Sequence, residues 1–222
     1  MNLFLSGQPD NTAGGLTGPG ILPVVIDVPL GAIFVTFDGT QLTDLTCCDT
    51  AIPPLTNDAN GRSLSDFNIF GTNIQSFNGI SGIIFNDRVM FLAGVFLDDN
   101  TPATGPGGPA RLTDANFPEG PGFNLWPQLG QSFFVGDGLN AANDPFRYIV
   151  PTGATRLFLG FLDGAGFGCW DSCAGDGVAP GVYDDNAGSG PVDYAFTMVP
   201  EPSTWVLFSL GLAGVAVRRF RR

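Results

Sequence analysis

Apolar positions along this chain come in short bursts, and the bursts are separated by glycine, proline, asparagine and aspartate. Ile21 to Val28 is apolar and β-branched and predicts a strand. Leu30-Gly31 marks a turn, and Ala32 to Asp38 follows with apolar residues on both alternating sets, the pattern of a strand buried on two faces. Further strands are expected at Val89–Leu97, Ser132–Val135, Phe146–Val150, Arg156–Phe161 and Tyr194–Met198, with turn signals at Gly136-Asp137-Gly138, Thr152-Gly153 and Asp163-Gly164. Residues 39–80 read as turn-rich, and Asp98 to Gly122, with five prolines, as a long surface loop. No stretch before Ser203 holds a helical period. Short strands between glycine-rich turns predict an all-β domain over residues 1–198, a jelly-roll β-sandwich. The last burst differs in kind: Ser203 to Val217 is 15 residues without a charge, a single hydrophobic helix at the C-terminus.

Composition sharpens this picture. The chain has 20 phenylalanines, 32 glycines and 18 prolines with only 14% charged residues, which describes a loop-rich β protein with an aromatic core rather than a disordered chain. Lysine and histidine are both absent. Residues 1–217 carry five arginines against 21 acids, a net charge near −16, and four arginines at the end bring the whole to −12. Such a body is unsuited to phosphate contacts with nucleic acid and suited to cations or to solubility in a matrix. Without histidine, a Ser-His-Asp or Cys-His hydrolase is excluded in its ordinary form, and the commonest zinc ligand is missing.

The final 24 residues carry the most specific signal. Val199-Pro200-Glu201-Pro202 precedes the apolar run, and Arg218, Arg219, Arg221 and Arg222 close it. As a helix, residues 203–217 would span ~22 Å, short of a full bilayer core, but flanking residues can snorkel and the bilayer can thin. Gly211, Ala213, Gly214 and Ala216 suit helix contacts in lipid. The arginine cluster favours the cytoplasmic side and leaves everything before Pro200 outside. Triplet, apolar span and arginine stop together closely resemble the PEP-CTERM sorting signal of exported proteins in Gram-negative, exopolysaccharide-producing bacteria. The resemblance implies a membrane partner enzyme, exosortase, that processes the tail near the triplet, and passage through the inner membrane.

Export needs a leader, and Met1-Asn2-Leu3-Phe4-Leu5 is not a charged region followed by an apolar stretch. The expectation is that the signal peptide is missing from this chain because the true start lies further upstream. An exported location also permits disulfides. Cys169 with Cys173 can close a small loop, a cross-link to Cys47-Cys48 is the alternative, and a metal site on these cysteines is the lesser reading.

One constellation in the body carries candidate chemistry. Asp163 ends an apolar strand, and Tyr183-Asp184-Asp185-Asn186-Ala187-Gly188-Ser189 follows about 20 residues later. Calcium takes six to eight oxygen ligands, often from a glycine-turned loop, so Asp185 and Asn186 can supply two and Asp163 a third if its strand lies beside the one starting near Tyr194. A solvated Asx turn is the plain alternative. Phe133 to Leu139, Val150 to Asp163 and Tyr183 to Ser189 resemble the body of many PEP-CTERM proteins and bacterial galactophilic lectins of the PA-I type, a galactose-binding-like jelly roll. Leu3 to Pro9 is similar to the residues after signal cleavage in such proteins, and Val24 to Gly39 to their first core hairpin.

That resemblance implies calcium held by Asp163, Asp185 and Asn186, by the carbonyl of Val182, and loosely by a carbonyl near Thr43. The lectin's sugar site uses a histidine, which this chain lacks. Residues 164–180 instead form a longer loop with Cys169, Trp170 and Cys173, where Trp170 either packs on a disulfide or stacks on a sugar. Phe133, Phe134, Phe158 and Phe161 read as core, Arg156 as an ion pair or surface cation, and Asp98 and Asp99 as a solvated turn, with a second cation site as the alternative. The sequence therefore points to a non-enzymatic cell-surface or matrix protein, calcium-stabilised, with exosortase, the inner membrane and exopolysaccharide or another glycan as partners. The competing reading is a polysaccharide hydrolase or lyase on the same scaffold, with Asp163 and Asp185 as its carboxylate pair.

Overall fold

Strands make up nearly all the regular structure. A computed structural model describes residues 1–9, 20–42, 45–47, 55–63, 71–86, 88–103, 107–117, 123–162 and 189–199. In chain order its strands are β1 (Val24–Asp27), β2 (Ala32–Asp38), β3 (Leu45–Cys47), β4 (Leu55–Asn57), β5 (Arg62–Ser63), β6 (Thr72–Asn73), β7 (Ile83–Phe85), β8 (Arg88–Val89), β9 (Leu92–Leu97), β10 (Leu112–Thr113), β11 (Asn124–Leu125), β12 (Ser132–Phe134), β13 (Arg147–Ile149), β14 (Arg156–Phe161) and β15 (Asp193–Met198). The fold is all-β, as the sequence predicts.

Two four-stranded sheets form its body. The first runs β1-β14-β9-β12, antiparallel throughout, and the second runs β11-β13-β2-β15. In the second, β11 is parallel to β13 and the other pairs are antiparallel. Interior strands of the first sheet read as continuous apolar runs because both faces are covered: every residue of β9 is buried, and so are Leu157 to Gly160 of β14.

The sheets meet through aromatic rings. Phe133 of β12 stands opposite Gly94 of β9 in the ladder, and a Cβ on Gly94 would fall 2.6 Å from the Phe133 ring. Glycine thus clears the space over which the ring lies. Phe133 then stacks on Phe96 at 5.4 Å and reaches across to Tyr148 of β13 at 4.9 Å, and Tyr148 meets Phe37 of β2 edge-on at 5.2 Å. This chain of rings makes the arrangement a two-layer sandwich. A second ring cluster, Phe85, Phe91, Phe117 and Phe134, packs under the small sheet β10-β7-β6.

Several expectations need correction. β2 has the predicted bounds but is buried on one side only: Val35 and Phe37 are inside while Ala32, Phe34 and Thr36 are half-exposed. Its outer face is a surface of the sandwich, with the Arg147 guanidinium over the Phe34 ring at 5.3 Å. The run Val89–Leu97 is split between β8 and β9, because Met90 takes φ 56, outside extended space. The turn-rich and proline-rich stretches contain the short strands β3 to β6 and β10. Leu3, Phe4 and Leu5 form a buried 3-10 turn capped by the Asn2 side chain, so the residues after Met1 are part of the core.

Tyr148 is fully enclosed, and burial, with Asp137 nearby, raises its phenol well above its ordinary value. A raised folded value means stability is intact below the unfolded pKa, about 10, and is lost as pH rises from there towards the folded one. Urea midpoints should therefore fall at alkaline pH, and Tyr148→Phe, which keeps the ring and loses only a 3.4 Å hydrogen bond to Val135 O, should fall less steeply. Equal slopes for the two proteins would show that Tyr148 does not drive the effect.

Candidate functional site

The calcium cage expected from sequence draws on three stretches. Asp163, Val182, Asp185, Asn186 and Thr43 themselves, with Trp170, Cys48, Cys169 and Cys173, lie outside the described residues. The structure fixes the chain on either side of them.

The first stretch is the end of β14. Phe161 N–H donates to Met1 O at 3.0 Å, and Leu162, fully buried, donates to Phe91 O at 3.4 Å. The approach to Asp163 is thus held against the N-terminal turn. The condition under which spacing lets Asp163 join the other ligands, that its strand lie beside β15, is not met. β14 pairs with β1 and β9 in the first sheet, whereas β15 pairs with β2 in the second. The reason lies in the side chains: Leu157 to Leu162 are apolar on both faces and need a central place, while β15 alternates polar residues and lies at an edge, with Phe196 its one half-buried residue.

Described residues flanking the second and third stretches do come together. Gly190, next to Ser189, lies so close to Leu42 that a Cβ there would stand 2.7 Å from Leu42 Cδ1. Residues 189–193 therefore run beside 38–42, next to the position near Thr43 to which a carbonyl ligand is assigned. At this end of the sheet Asp193 and Asp38 are direct ladder partners. Like charges directly opposite each other are unfavourable unless something compensates. Asp38 accepts the Thr40 hydroxyl at 2.6 Å and the Thr40 N–H at 3.1 Å, and these bonds, the hydroxyl's first, hold its carboxyl below the usual carboxylate value. No local sequence signal shows the Asp38–Asp193 pairing, because it depends on register between strands 155 residues apart.

Asp98 and Asp99 lie in a surface turn, as expected. Asp98 accepts the Asn100 backbone N–H and side-chain amide at 3.0 and 2.7 Å, and Asp99 accepts the Thr155 hydroxyl at 2.7 Å. Arg156, which stands opposite Asp27 in the β1–β14 ladder, is held by backbone carbonyls. It donates to the carbonyls of Asp98 and Asn100 and lies over the Phe158 ring at 5.4 Å, stapling the β9 turn to β14. An open groove of about 350 Å³ beside this staple is walled by Leu97, Asp98, Asn100, Thr101, Leu129 and Gly130. Among the described residues no group of three or more His, Cys, Asp or Glu is placed to hold a metal, and no helix is long and apolar enough to cross a membrane.

β15 delivers the chain to its C-terminal segment. Its pairing runs to the very edge of that segment, since Val199 N–H donates to Gly31 O at 2.9 Å. Residues 199–222 match the PEP-CTERM protein-sorting motif. The chain ends in an export-sorting tail. Such a motif marks an exported protein handled by exosortase, and here it begins at Val199, whose N–H is tied to the sheet. No curated protein and no solved structure matches the chain.

Proposed function

We propose that this protein is a non-enzymatic component of the cell surface or exopolysaccharide matrix, exported through the inner membrane and released from its tail by exosortase. The sorting motif at 199–222 carries the reading. In it, Ser203 to Val217 holds the unprocessed protein in the membrane, with Arg218, Arg219, Arg221 and Arg222 on the cytoplasmic side. Disulfides among the four cysteines fit that destination. A body with 20 acids, the chain's 21 less Glu201 of the tail, and no lysine resists adsorption to anionic polymers and stays dispersed among them.

Within the same reading, the body is a galactose-binding-like jelly roll stabilised by calcium at Asp163, Asp185, Asn186 and the Val182 carbonyl. Support comes from the approach of Gly190 to Leu42 and from the facing Asp38 and Asp193, whose repulsion a nearby divalent cation would relieve. The ligand class is carbohydrate, with Trp170 as the stacking surface in a chain that has no histidine. A hydrolase or lyase is the weaker alternative, because the chain has only two glutamates and one of them, Glu201, belongs to the sorting triplet.

Two measurements test this. Fractionating a host that carries exosortase should place the body, shortened by its tail, in the surface or matrix fraction, and recovery in the cytosol would refute export. A melt of the secreted form should shift upward with calcium and downward with EDTA, by mass action on the folded state. Asp185→Asn should abolish the difference. An unchanged midpoint removes the metal, and silence across galactosides and acidic polysaccharides on a glycan array removes the sugar.

A further inference from the structure

The turn between β1 and β2 joins the two sheets at one corner. It is closed by Ala32 N–H donating to Pro29 O at 3.1 Å, with Gly31 at φ +83 in its third position, where such turns need glycine. Its second position holds Leu30, which is 99% exposed. Nothing in the fold requires a leucine at a fully solvated turn tip, where polar residues or proline serve as well. Around it stand Ile33, Met198 and Val199, exposed by 38, 39 and 55%. These residues are neighbours: Met198 is the ladder partner of Ala32, its Cε lies 4.0 Å from where a Cβ on Gly31 would be, and Val199 N–H is bonded to Gly31 O. The two segments that form the corner carry no charge of their own, with the Arg147 guanidinium over the adjoining Phe34 ring. Between Asp27 and Asp38 there is none, and none from Tyr194 to Pro200, although the body as a whole is strongly acidic.

Chain length decides what meets this corner. From Val199 to Ser203, where the apolar segment starts, there are four residues, which reach at most ~14 Å when fully extended. With residues 203–217 in a bilayer, Gly31 and Leu30 are tethered within the interfacial layer. We propose that the Leu30, Ile33, Met198 and Val199 corner is a lipid-contacting foot, which seats the folded body directly on the membrane before the tail is processed. The inference rests on the reading that the tail enters the membrane. An acidic body needs an uncharged face to sit against lipid headgroups, and this corner supplies it beside the tether. The foot would fix how the body stands over the sorting triplet when exosortase approaches.

Photo-crosslinking of the full, unprocessed chain in inner-membrane vesicles lacking exosortase tests it. Benzoylphenylalanine is placed in turn at Leu30, at Val199, at Ile21, which is 66% exposed but precedes β1 at the end opposite this corner, and at Leu210 within the tail. Lipid adducts at Leu30 and Val199 several-fold above those at Ile21 are expected, together with strong adducts at Leu210. Adducts at Leu210 with none above the Ile21 level at Leu30 would overturn the foot and leave the membrane tail standing. Loss of lipid adducts at Leu210 as well would overturn the tail reading and the foot with it. Cross-links from Leu30 to the tail or to a second copy, in place of lipid, would assign the corner to another occupant and refute the proposal. Because Leu30 touches little in the body, the probe there does not burden folding.

Discussion

Phe133→Ala should cost about 3–5 kcal/mol, the range for removing a buried phenylalanine without collapse of the cavity. Collapse is opposed here because the ring is enclosed by Phe96, Tyr148 and the flat backbone at Gly94, all part of ladders that cannot close inward. Domains of this size shift by about 2–4 °C in midpoint per kcal/mol, so the melt should drop by roughly 10 °C. Trp126→Ala, removing an exposed ring, should stay within about 0.5 kcal/mol. The Gly94 contact gives a sharper test. Gly94→Ala alone drives a methyl to 2.6 Å from the Phe133 ring, in the middle of a strand paired on both sides. Added to Phe133→Ala, the same methyl enters the space the ring has left. The two substitutions should therefore be far from additive, the double variant being more stable than the sum of its parts. Additive costs would mean that the ring does not depend on the glycine.

What could be read of this fold from sequence follows from where the information sits. The bounds of β2 and β14 match the expectation and β15 starts one residue early, because runs of six or seven apolar or alternating residues bounded by Gly31, Gly153 or Met198-Val199 are self-announcing. β3 to β6 are two or three residues long, too short to show a period of two, and their pairing is set by tertiary contacts. The inward side of β2 is likewise not local information: Phe34 and Phe37 look alike in sequence, and only the position of the second sheet's outer face leaves Phe34 half-exposed under Arg147. Arg156 reads in sequence as an ion pair or a surface cation, and the two carbonyls that the β9 turn presents to its guanidinium are likewise not local information. The candidate calcium residues stand out by residue type alone, and they lie outside the described residues. The sheet to which each flanking strand belongs is not legible locally, since sheet membership is decided by long-range pairing that no motif encodes. The sorting tail was the most legible part, because a charge-free span with an arginine stop is written in composition alone.

Replacing Pro200, Glu201 and Pro202 together by alanine should abolish processing while leaving the body folded. The fold should survive because the last anchoring hydrogen bond among the described residues, Val199 N–H to Gly31 O, lies before the triplet and uses only backbone. Processing should fail because the triplet opens the matched sorting motif, where the resemblance places exosortase's cut. In a host with exosortase, intact mass should then show only the full-length protein, all of it in the membrane fraction, with a melt unchanged from the parent. A processed form at the parental level would refute the role of the triplet. Neutralising the tail tests the other half of the signal. Arg218, Arg219, Arg221 and Arg222 changed to glutamine removes four charges, each resisting insertion by about 2.5–3.5 kcal/mol on the insertion scale, or on the order of 10 kcal/mol together. With that barrier gone, the apolar run should slip through rather than stop, and unprocessed protein should appear outside the membrane. The two variants thus fail in opposite places: one retained and uncut, the other released and uncut. That opposition is expected only if recognition and arrest are separate functions of the triplet and the arginines.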